Sequence, residues 1–476
     1  MKTKILKEKF SKKNILILFS LLTILVILLR FFNLNSEDYW FDEINSFWLS
    51  DPQINNYQTY IERYLKPGQP DQITFYFFLK YFFNIFGYND LVGRYFPFIF
   101  GCLSIPVIVY SSIKIKNNNS CLFLFYLLAI NTYLIAYSQE VRVYSLVFFI
   151  SAVKIFLFLD LIDTKDKNIK WYKYLFILIL NILNVSLHIF TSFILISEII
   201  FLLYLYHFNK NLKLKLITVT ILSVFVCVIL NYQFILSKYY VNTWIPPLES
   251  KFFIDFFFAR FFGSKIMGAI YLATILYLLI KFRLMIINNN KKLLFLLILT
   301  TTTYLLPVIY SLLVRPILID RYIIFVLIPV LIIISNLIWQ IKNKKVKYFF
   351  ILLLLISTTT NTFLELSFKK TKKPELTKLI EAIDSEDSNI ITVETNESTE
   401  FIMLSNYVSK KEIFNKKKLK IINFNKITEF QKVWVICLAP LNSFNCKNKF
   451  NVSDKFKIKK NKTFYLTELF LIETKK

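Results

Sequence analysis

Long apolar runs alternate with short polar connections along most of the chain. Eleven of these runs are long enough to cross ~30 Å of hydrocarbon as helices that rise ~1.5 Å per residue. They cover residues 14–34, 92–113, 119–138, 143–162, 171–187, 188–207, 214–236, 266–283, 292–314, 320–341 and 346–366. Another run, residues 73–86, is shorter, and its length favours a helix that lies along the membrane surface. The pattern predicts an α-helical polytopic membrane protein with about eleven transmembrane helices and one interfacial helix.

The distribution of lysine supports this arrangement of spans. If the amino-terminal end is inside and residues 73–86 do not cross, the basic connections all fall on one side. These connections contain the basic residues of segment 2–13 together with Lys114, Lys116, Lys165, Lys167, Lys170, Lys210, Lys213, Lys215, Lys281, Arg283, Lys291, Lys292, Lys342, Lys344, Lys345 and Lys347. The positive-inside rule makes that side cytoplasmic and places the carboxyl-terminal end outside.

The pattern changes after residue 366, where the chain becomes polar with short apolar runs. Runs at 389–393, 432–436 and 464–466 predict β-strands, and residues 374–383 predict a helix. The sequence therefore divides into three parts. These are a cytoplasmic segment 1–13, a transmembrane domain 14–366 with an outer loop 35–91, and an extracytoplasmic α/β domain 367–476.

Composition and charge fit a membrane protein. The chain has 476 residues, of which 56% are hydrophobic, and a formal net charge of +27. Such a charge would indicate nucleic-acid binding in a soluble protein, but the positions of the lysines attribute it to topology and exclude that partner.

The five cysteines form no Cys-x-x-Cys pair or Cys/His cluster, so the sequence predicts no zinc site. Cys102, Cys121 and Cys227 lie in apolar runs and are interpreted as packing residues. Cys437 and Cys446 share the polar carboxyl-terminal domain, where either a disulfide or two free thiols would fit.

An acidic pair, Asp42 and Glu43, follows the first span and lies among aromatic residues that include Trp40. An acidic outer loop is compatible with orientation alone. A carboxylate held at the outer face of a membrane enzyme can also act as a general base, which is the functional hypothesis for Asp42.

A polar segment, residues 137–144, joins the third and fourth spans and contains Tyr137, Glu140 and Arg142. Glu140 and Arg142 could form a local ion pair. Alternatively, the guanidinium of Arg142 binds an anionic headgroup, because its planar shape matches a phosphate bidentately.

Arg315 and Arg321 flank the turn that leads into the tenth span, and Tyr322 follows. These arginines either extend to the membrane interface or hold a phosphate. His188, at the junction of the fifth and sixth spans, is more typical of a hydrogen-bonded packing residue than of a ligand. Glu198, inside the sixth span, is interpreted as a hydrogen-bonded acid within the bundle.

Taken in order, these segments resemble the GT-C membrane glycosyltransferases, and within them the superfamily of protein O-mannosyltransferases and aminoarabinose transferases (glycosyltransferase family 39-like). The matching segments are Asp42-Glu43, residues 74–87, residues 91–97, residues 137–144, where family members often carry Tyr-Ser-Gln-Glu-Ala-Arg, His188, residues 244–247 and residues 320–322. The resemblance covers residues 14–366. The chain departs from it at residues 71–73, where many relatives have a Pro-Pro pair, and it has no clear counterpart of a phosphate-contacting lysine near that turn.

The resemblance implies an inverting transfer of a sugar from a polyprenyl-phosphate donor to an acceptor hydroxyl at the outer face of a bacterial inner membrane. It implies Asp42 as the general base, assisted by Glu43. It implies donor-phosphate binding by Arg142, Arg321 and Arg315, and substrate binding by Glu140, Tyr137, His188, Tyr322 and Trp244. The implied partners are the lipid-linked donor, membrane lipids and an acceptor that is a protein, lipid or glycan. No cofactor is implied with certainty, and a divalent metal remains open.

Two other classes share the membrane pattern. A polysaccharide polymerase or ligase would carry catalytic arginine or histidine residues in a large late loop, and the connection between the seventh and eighth spans here is modest. A non-enzymatic transporter of lipid-linked sugars would show charges at mid-span or paired broken helices, and here most charges lie at span ends.

Overall fold

The computed structural model describes residues 12–54, 56–64, 72–115, 120–164, 168–209, 213–239, 245–252, 259–368, 373–395, 398–438 and 456–474. Within these ranges the membrane part is helical. Its helices are α1 (Lys12–Phe31), α2 (Phe41–Leu49), α3 (Tyr57–Tyr64), α4 (Ile73–Phe86), α5 (Asp90–Ile113), α6 (Ser120–Ala129), α7 (Thr132–Tyr137), α8 (Tyr144–Ile162), α9 (Trp171–Leu187), α10 (Ser192–Asn209), α11 (Leu214–Tyr239), α12 (Ser250–Phe252), α13 (Ala259–Phe262), α14 (Lys265–Asn289), α15 (Lys291–Leu313), α16 (Leu327–Gln340) and α17 (Lys344–Ser367). Short 3₁₀ stretches, Ile189–Thr191 and Asp320–Val326, precede α10 and α16.

Eight helical segments in the described ranges are long and apolar enough to cross a membrane. They correspond to eight of the predicted spans. The other three predicted spans are shorter apolar helices in α1, α6 and α9, and α4 is also in this shorter class. The predicted polytopic helical class is therefore confirmed.

The predicted span 119–138 is not one helix, because the chain breaks after α6 and starts again as α7. Asn131 caps the new helix by accepting a hydrogen bond from the N–H of Leu134 at 2.9 Å. A polar cap fixes a helix start in this way because it satisfies a main-chain donor that has no partner within the helix. The break turns the following segment, residues 137–144, toward the end of α1.

The helices differ in how much of their surface faces other helices. In the apolar stretch of the segment Asp320–Gln340, 83% of the residues are buried, and in that of α8 the share is 72%. These two segments therefore form the centre of the bundle. The segments Leu214–Tyr232, Lys265–Ile287 and Lys344–Ser367 are each 22% buried. Their exposed faces are apolar, as is required of surfaces that contact lipid.

Helix α4 is apolar on both faces but packs with only one. Phe75, Tyr76, Leu79 and Phe83 are buried against the bundle, and the aromatic side chains on the other face are exposed. This stripe follows the 3.6-residue period of a helix with one packed face.

Beyond α17, the carboxyl-terminal domain is a five-stranded sheet with helices. The strands are β1 (Ile390–Glu394), β2 (Lys420–Ile421), β3 (Lys432–Leu438), β4 (Phe456–Phe464) and β5 (Thr467–Thr474), in the order β2-β1-β3-β5-β4. β1 is parallel to β2 and β3, and β5 is antiparallel to β3 and β4. The helices are α18 (Leu376–Glu381), α19 (Ser398–Ser409) and α20 (Glu412–Lys416). The predicted α/β character of this domain is confirmed.

Strand β3 is buried on both faces. Trp434 and Ile436 belong to the main core on one face, and Val433 and Val435 belong to a separate apolar cluster on the other. Cys437 in this strand is disulfide-bonded, whereas Cys446 lies outside the described residues. The predicted strand at 464–466 is wrong beyond Phe464, because Leu466 adopts a φ of 55° and forms the turn between β4 and β5.

Candidate functional site

Helix α2 presents the acidic pair at its amino-terminal end. The helix begins at Phe41, so Asp42 and Glu43 occupy its first turn, where the helix dipole favours carboxylates. The two neighbours have opposite surroundings. The side chain of Asp42 is 28% exposed, whereas that of Glu43 is fully buried.

Two arginines from distant parts of the chain converge on Asp42. The Nη2 atom of Arg321 lies 3.2 Å from Oδ2 of Asp42, and Nη2 of Arg142 lies 3.8 Å from the same oxygen. Arg142 also donates through Nη1 to the main-chain carbonyl of Asp42 at 3.1 Å. The guanidinium of Arg321 lies over the rings of Trp40 at 5.4 Å and Tyr144 at 5.7 Å, which adds cation–π attraction.

The segment 137–144 reaches this site because α5 leaves room for it. A Cβ on Gly101 would overlap Ser138, so only glycine permits this close approach. The side-chain amide of Gln139 donates to the carbonyls of Arg30 and Phe32 at 2.9 and 2.8 Å. These contacts fix the segment beside the end of α1 and bring Arg142 to α2.

Glu43 joins four segments of the chain through one carboxylate. Its Oε2 atom pairs with Nζ of Lys373 at 2.6 Å and accepts the N–H of Trp40 at 3.2 Å. Its Oε1 atom accepts the N–H of Val141 at 2.9 Å and lies 3.9 Å from Nε of Arg94. Burial alone would raise the pKa of Glu43, but the charges of Lys373 and Arg94 and these hydrogen bonds bring it below its ordinary value.

Glu140 is a third carboxyl group beside this pair. It accepts the indole N–H of Trp40 at 3.2 Å. Burial is the largest influence on it and raises the pKa of Glu140 to about 7, with the nearby charge of Glu43 acting in the same direction and that of Lys373 opposing it. Glu140 therefore changes charge near neutral pH.

The site brings several cationic side chains to a small group of carboxylates, and Asp320 lies beside Arg321 as a further carboxyl group. Three carboxyl groups, Asp42, Glu43 and Glu140, lie among four cationic side chains, Arg94, Arg142, Arg321 and Lys373. An arrangement of this kind can bind an anion, and its partly exposed carboxylate can accept a proton from a hydroxyl.

Tyr137, His188 and Tyr322 lie in an aromatic group beside the arginines. The ring of Tyr144 is 5.2 Å from that of Tyr137 and 6.2 Å from that of His188, and the ring of Tyr322 is 4.9 Å from that of His188. The Nδ1 atom of His188 accepts the N–H of Phe190 at 3.3 Å and caps the 3₁₀ turn before α10. His188 therefore has a packing and capping role here, while Tyr144 connects this group to Arg321.

Of the two remaining predicted residues, only Arg315 lies within the described part of the chain. Arg315 is half-buried after α15, and its main-chain N–H donates to the carbonyl of Tyr310 at 3.4 Å. The described ion pairs of Asp42 are with Arg142 and Arg321 and do not include Arg315. Trp244 lies outside the described residues.

Two cationic residues of the site were not predicted. Arg94 lies at the start of α5 inside the segment 91–97 that carries part of the family resemblance, so the sequence held a signal for it. Lys373 lies just before α18 in a lysine-rich stretch, and nothing in the local pattern distinguishes it from its neighbours. Only the docking of the carboxyl-terminal domain brings it to Glu43.

In the part of the chain that the structure describes, no group of three or more His, Cys, Asp or Glu residues could hold a metal ion. The carboxylates of Asp42 and Glu43 are in ion pairs with arginine and lysine. These two residues do not form a metal-ligand set in this arrangement.

The fold is similar to those of solved membrane glycosyltransferases. ArnT from Cupriavidus metallidurans in the apo state superposes with a TM-score of 0.59 at 9% identity, over 96% of this chain and 97% of that chain. ArnT from the same organism bound to undecaprenyl phosphate superposes with a TM-score of 0.59 at 8% identity, over 97% of this chain and 98% of that chain. An oligosaccharyltransferase from Archaeoglobus fulgidus, tethered with an acceptor peptide, gives 0.54 at 11% identity, over 92% of this chain and 70% of that chain.

No protein-family model matches the sequence, and no curated protein matches it either. ArnT and the archaeal oligosaccharyltransferase are GT-C proteins. The chain therefore has the GT-C fold, as the resemblance in its sequence predicts, and the likeness extends over the carboxyl-terminal domain as well as the membrane part.

Proposed function

We propose that this protein transfers a sugar from a polyprenyl-phosphate donor to an acceptor hydroxyl, and that Asp42 is the general base. The observation that carries the proposal is the convergence of Arg142 and Arg321 on the partly exposed carboxylate of Asp42. A base for the hydroxyl and two cations for the leaving phosphate are the groups that such a reaction needs within one site.

In the proposed reaction, the acceptor oxygen attacks the anomeric carbon on the face opposite the phosphate. The bond between that carbon and the phosphate oxygen breaks as the new bond forms, so the anomeric configuration inverts. Asp42 takes the proton of the hydroxyl. The electron pair leaves with the phosphate, whose charge is balanced by Arg142 and Arg321, and preorganised cations in a dry site are effective at this.

Arg142 and Arg321 then have two successive partners. In the structure, both guanidinium groups face Asp42. A donor phosphate would compete for them and leave the Asp42 carboxylate available to the acceptor hydroxyl. Glu43 keeps α2 in place through its contacts with the main-chain N–H groups of Trp40 and Val141.

An apolar cavity on the segment that follows Arg321 could receive a lipid tail. Its volume is about 310 Å³, and its walls are almost entirely apolar. Val326 and Leu327 contribute to the wall, on the same segment that begins with Asp320 and Arg321. A chain bound there would continue from a phosphate at Arg321 into the membrane part. A crystal structure of ArnT has undecaprenyl phosphate bound, and a structure of the archaeal oligosaccharyltransferase AglB is a complex with a dolichol-phosphate, and these named ligands are of the same chemical class.

The proposed topology places this reaction at the outer face of a bacterial inner membrane, with the amino-terminal end in the cytoplasm. Impermeant thiol labelling of single-cysteine variants tests it. Cysteines at Gln53 and Asn461 should react in intact cells whose outer envelope admits the reagent, and a cysteine at Asn343 should not. The reverse pattern would contradict the topology.

The activity itself is tested by incubating the purified protein with a panel of polyprenyl-phosphate and polyprenyl-diphosphate sugars and candidate acceptors. The proposal expects release of the free polyprenyl phosphate or diphosphate, coupled to a glycosylated product of inverted configuration. Polymerisation of a lipid-linked glycan would favour a polymerase, and movement of donor across a vesicle membrane without turnover would favour a transporter.

A further inference from the structure

A lysine from outside the membrane part contacts the acidic pair. Lys373 is the counter-ion of Glu43 at 2.6 Å, and its own side chain is only 18% exposed. The other cation near Glu43, Arg94, lies farther away at 3.9 Å and divides its hydrogen bonds among three other acceptors. Lys373 is therefore the closest positive charge to a carboxylate that has no exposure to solvent.

The position of Lys373 is set by the docking of the carboxyl-terminal domain on the segment just before α2. Asp38 accepts the main-chain N–H of Thr377 at 2.7 Å and pairs with Lys411 at 2.7 Å. Lys411 also pairs with Asp90 at the start of α5. Pro374 restricts the preceding residue to an extended conformation, which limits how Lys373 can move relative to α18.

Aromatic packing reinforces the same docking. The rings of Tyr39 and Tyr407 stack with centroids 5.4 Å apart, and the hydroxyl of Tyr407 donates to Asp90 at 2.9 Å and accepts the N–H of Tyr39 at 3.1 Å. Tyr39 lies two residues before the start of the helix that carries Asp42. The domain and the acidic pair are thus joined through a few residues of one continuous segment.

Glu43 is the connection between the groups proposed to react. It follows Asp42 in α2, and its Oε1 atom holds the N–H of Val141, next to Arg142. Any movement of Glu43 therefore changes the relative positions of Asp42 and Arg142. A charge that is buried without a counter-ion is strongly unfavourable, so a Glu43 that lost Lys373 would shift, bind a proton or admit water.

We propose that Lys373 is a positioning residue of this site, and that the carboxyl-terminal domain completes the site by supplying it. Lys373 holds the Glu43 carboxylate, and Glu43 holds Asp42 and the Arg142 segment in register. The inference rests on the proposed function for its readout of activity. It assigns the carboxyl-terminal domain a part in turnover that the membrane domain alone cannot supply.

The test compares Lys373→Met, which keeps the length of the side chain and removes its charge, with Lys373→Arg in the full-length protein. The control is Lys378→Ala, since Lys378 lies in α18 of the same domain but is 66% exposed and pairs with Glu375. We expect Lys373→Met to lower kcat about 10- to 100-fold with little change in the KM for donor, because small displacements of reacting groups have effects of this size. Lys373→Arg should recover most of kcat, and Lys378→Ala should equal the wild type.

The pH dependence separates this role from a purely structural one. The charge of Lys373 lowers the pKa of Glu140, which is otherwise raised by burial. We expect Glu140 to give a pH inflection in the wild type, and this inflection should move in Lys373→Met, to higher pH as long as Glu43 stays ionised, and return in Lys373→Arg. A loss of folded protein alone would lower the amplitude of activity without moving the inflection.

Folding is judged by elution as a single species in size-exclusion chromatography. If Lys373→Met fails this criterion, the double variant Lys373→Met/Glu43→Gln is used, because it removes both charges. It should fold and remain slow. Wild-type kcat and an unmoved inflection in the folded Lys373 variant would overturn the inference while leaving the proposed function intact. Absence of transfer in both the wild type and Lys378→Ala, with every donor, would instead contradict the proposed function.

Discussion

Two groups of charged residues in this protein both combine acids with bases, but they differ in exposure and in the number of cations around each carboxylate. The first group is the candidate site, where 28% of the Asp42 side chain is exposed and two arginines are directed at its carboxylate. The second group lies within the bundle, where Lys154 of α8 pairs with Glu198 of α10 at 3.4 Å, and the side chains are 1% and 0% exposed. One group is partly open and directs several cations at its carboxylates, and the other is a closed pair of one acid with one base.

The comparison indicates which group of charges is suited to the proposed chemistry. A matched, enclosed pair neutralises its own charge and can specify how two helices pack, although it adds little net stability. An exposed carboxylate that shares two cations can exchange those cations for an incoming anion. The sequence alone placed Glu198 and Asp42 in different contexts, but only the structure shows that Lys154 is the partner of Glu198.

The largest expected effect is that of Asp42→Asn. Removal of the general base should lower kcat about 10²- to 10⁴-fold, while the protein still inserts and binds donor. The matched control is Glu198→Gln, which also exchanges a carboxylate for an amide but in the enclosed pair. Turnover per folded molecule should be unchanged in this control. Equal loss in both variants would remove the distinction between the two groups.

Arg142→Ala and Arg321→Ala should each lower kcat/KM for donor about 10²- to 10³-fold, because each removes a cation that balances the leaving phosphate. Lys114→Ala is the control. Lys114 pairs with Asp160 at 2.8 Å on the opposite side of the predicted topology. Steady-state kinetics with a single donor suffices, and similar losses in all three variants would place phosphate recognition elsewhere.

The enclosed pair should respond to mutation through stability. Lys154→Met leaves Glu198 buried without its counter-ion and should destabilise the protein by about 3–5 kcal/mol. The double variant Lys154→Met/Glu198→Leu replaces both charges with apolar groups and should recover most of that loss. Thermal unfolding in detergent measures both. A double variant as unstable as the single one would mean that the pair has a role beyond mutual neutralisation.

The smallest expected effect is a pH dependence of donor binding. Burial raises the pKa of Glu140 to about 7, so this carboxyl is mostly neutral below that pH and anionic above it. The site becomes less positive as the pH rises through about 7, and the KM for a donor phosphodiester should increase, by roughly tenfold or less. Glu140→Gln should give a KM that stays flat across this range.

The raised pKa of Glu140 also makes the stability of the folded protein depend on pH. A carboxyl whose pKa is raised on folding contributes stability that is fully present below its ordinary pKa and is lost as the pH rises through about 7. Glu140→Gln should therefore flatten the decline in thermal stability over that interval. A decline of unchanged size in the variant would show that another group titrates there.

Much of the fold was predictable because lipid imposes long apolar runs and lysine marks the cytoplasmic side. Asp42, Arg142 and Arg321 were predicted as a site because each lies at the end of a span with a motif around it. The break at Asn131 was missed because an apolar run conceals a polar cap. Lys373 was missed because its partner is 330 residues away, and no local pattern encodes a contact made by domain docking.

The central claim is that Asp42 with Arg142 and Arg321 forms the site where the donor phosphate leaves. The most direct test is a cryo-EM structure of the Asp42→Asn variant with a polyprenyl-phosphate sugar that the wild type consumes. We expect phosphate oxygens within hydrogen-bond distance of Arg142 and Arg321, with the anomeric carbon facing residue 42. A phosphate held by other cations, with both arginines still directed at residue 42, would contradict it.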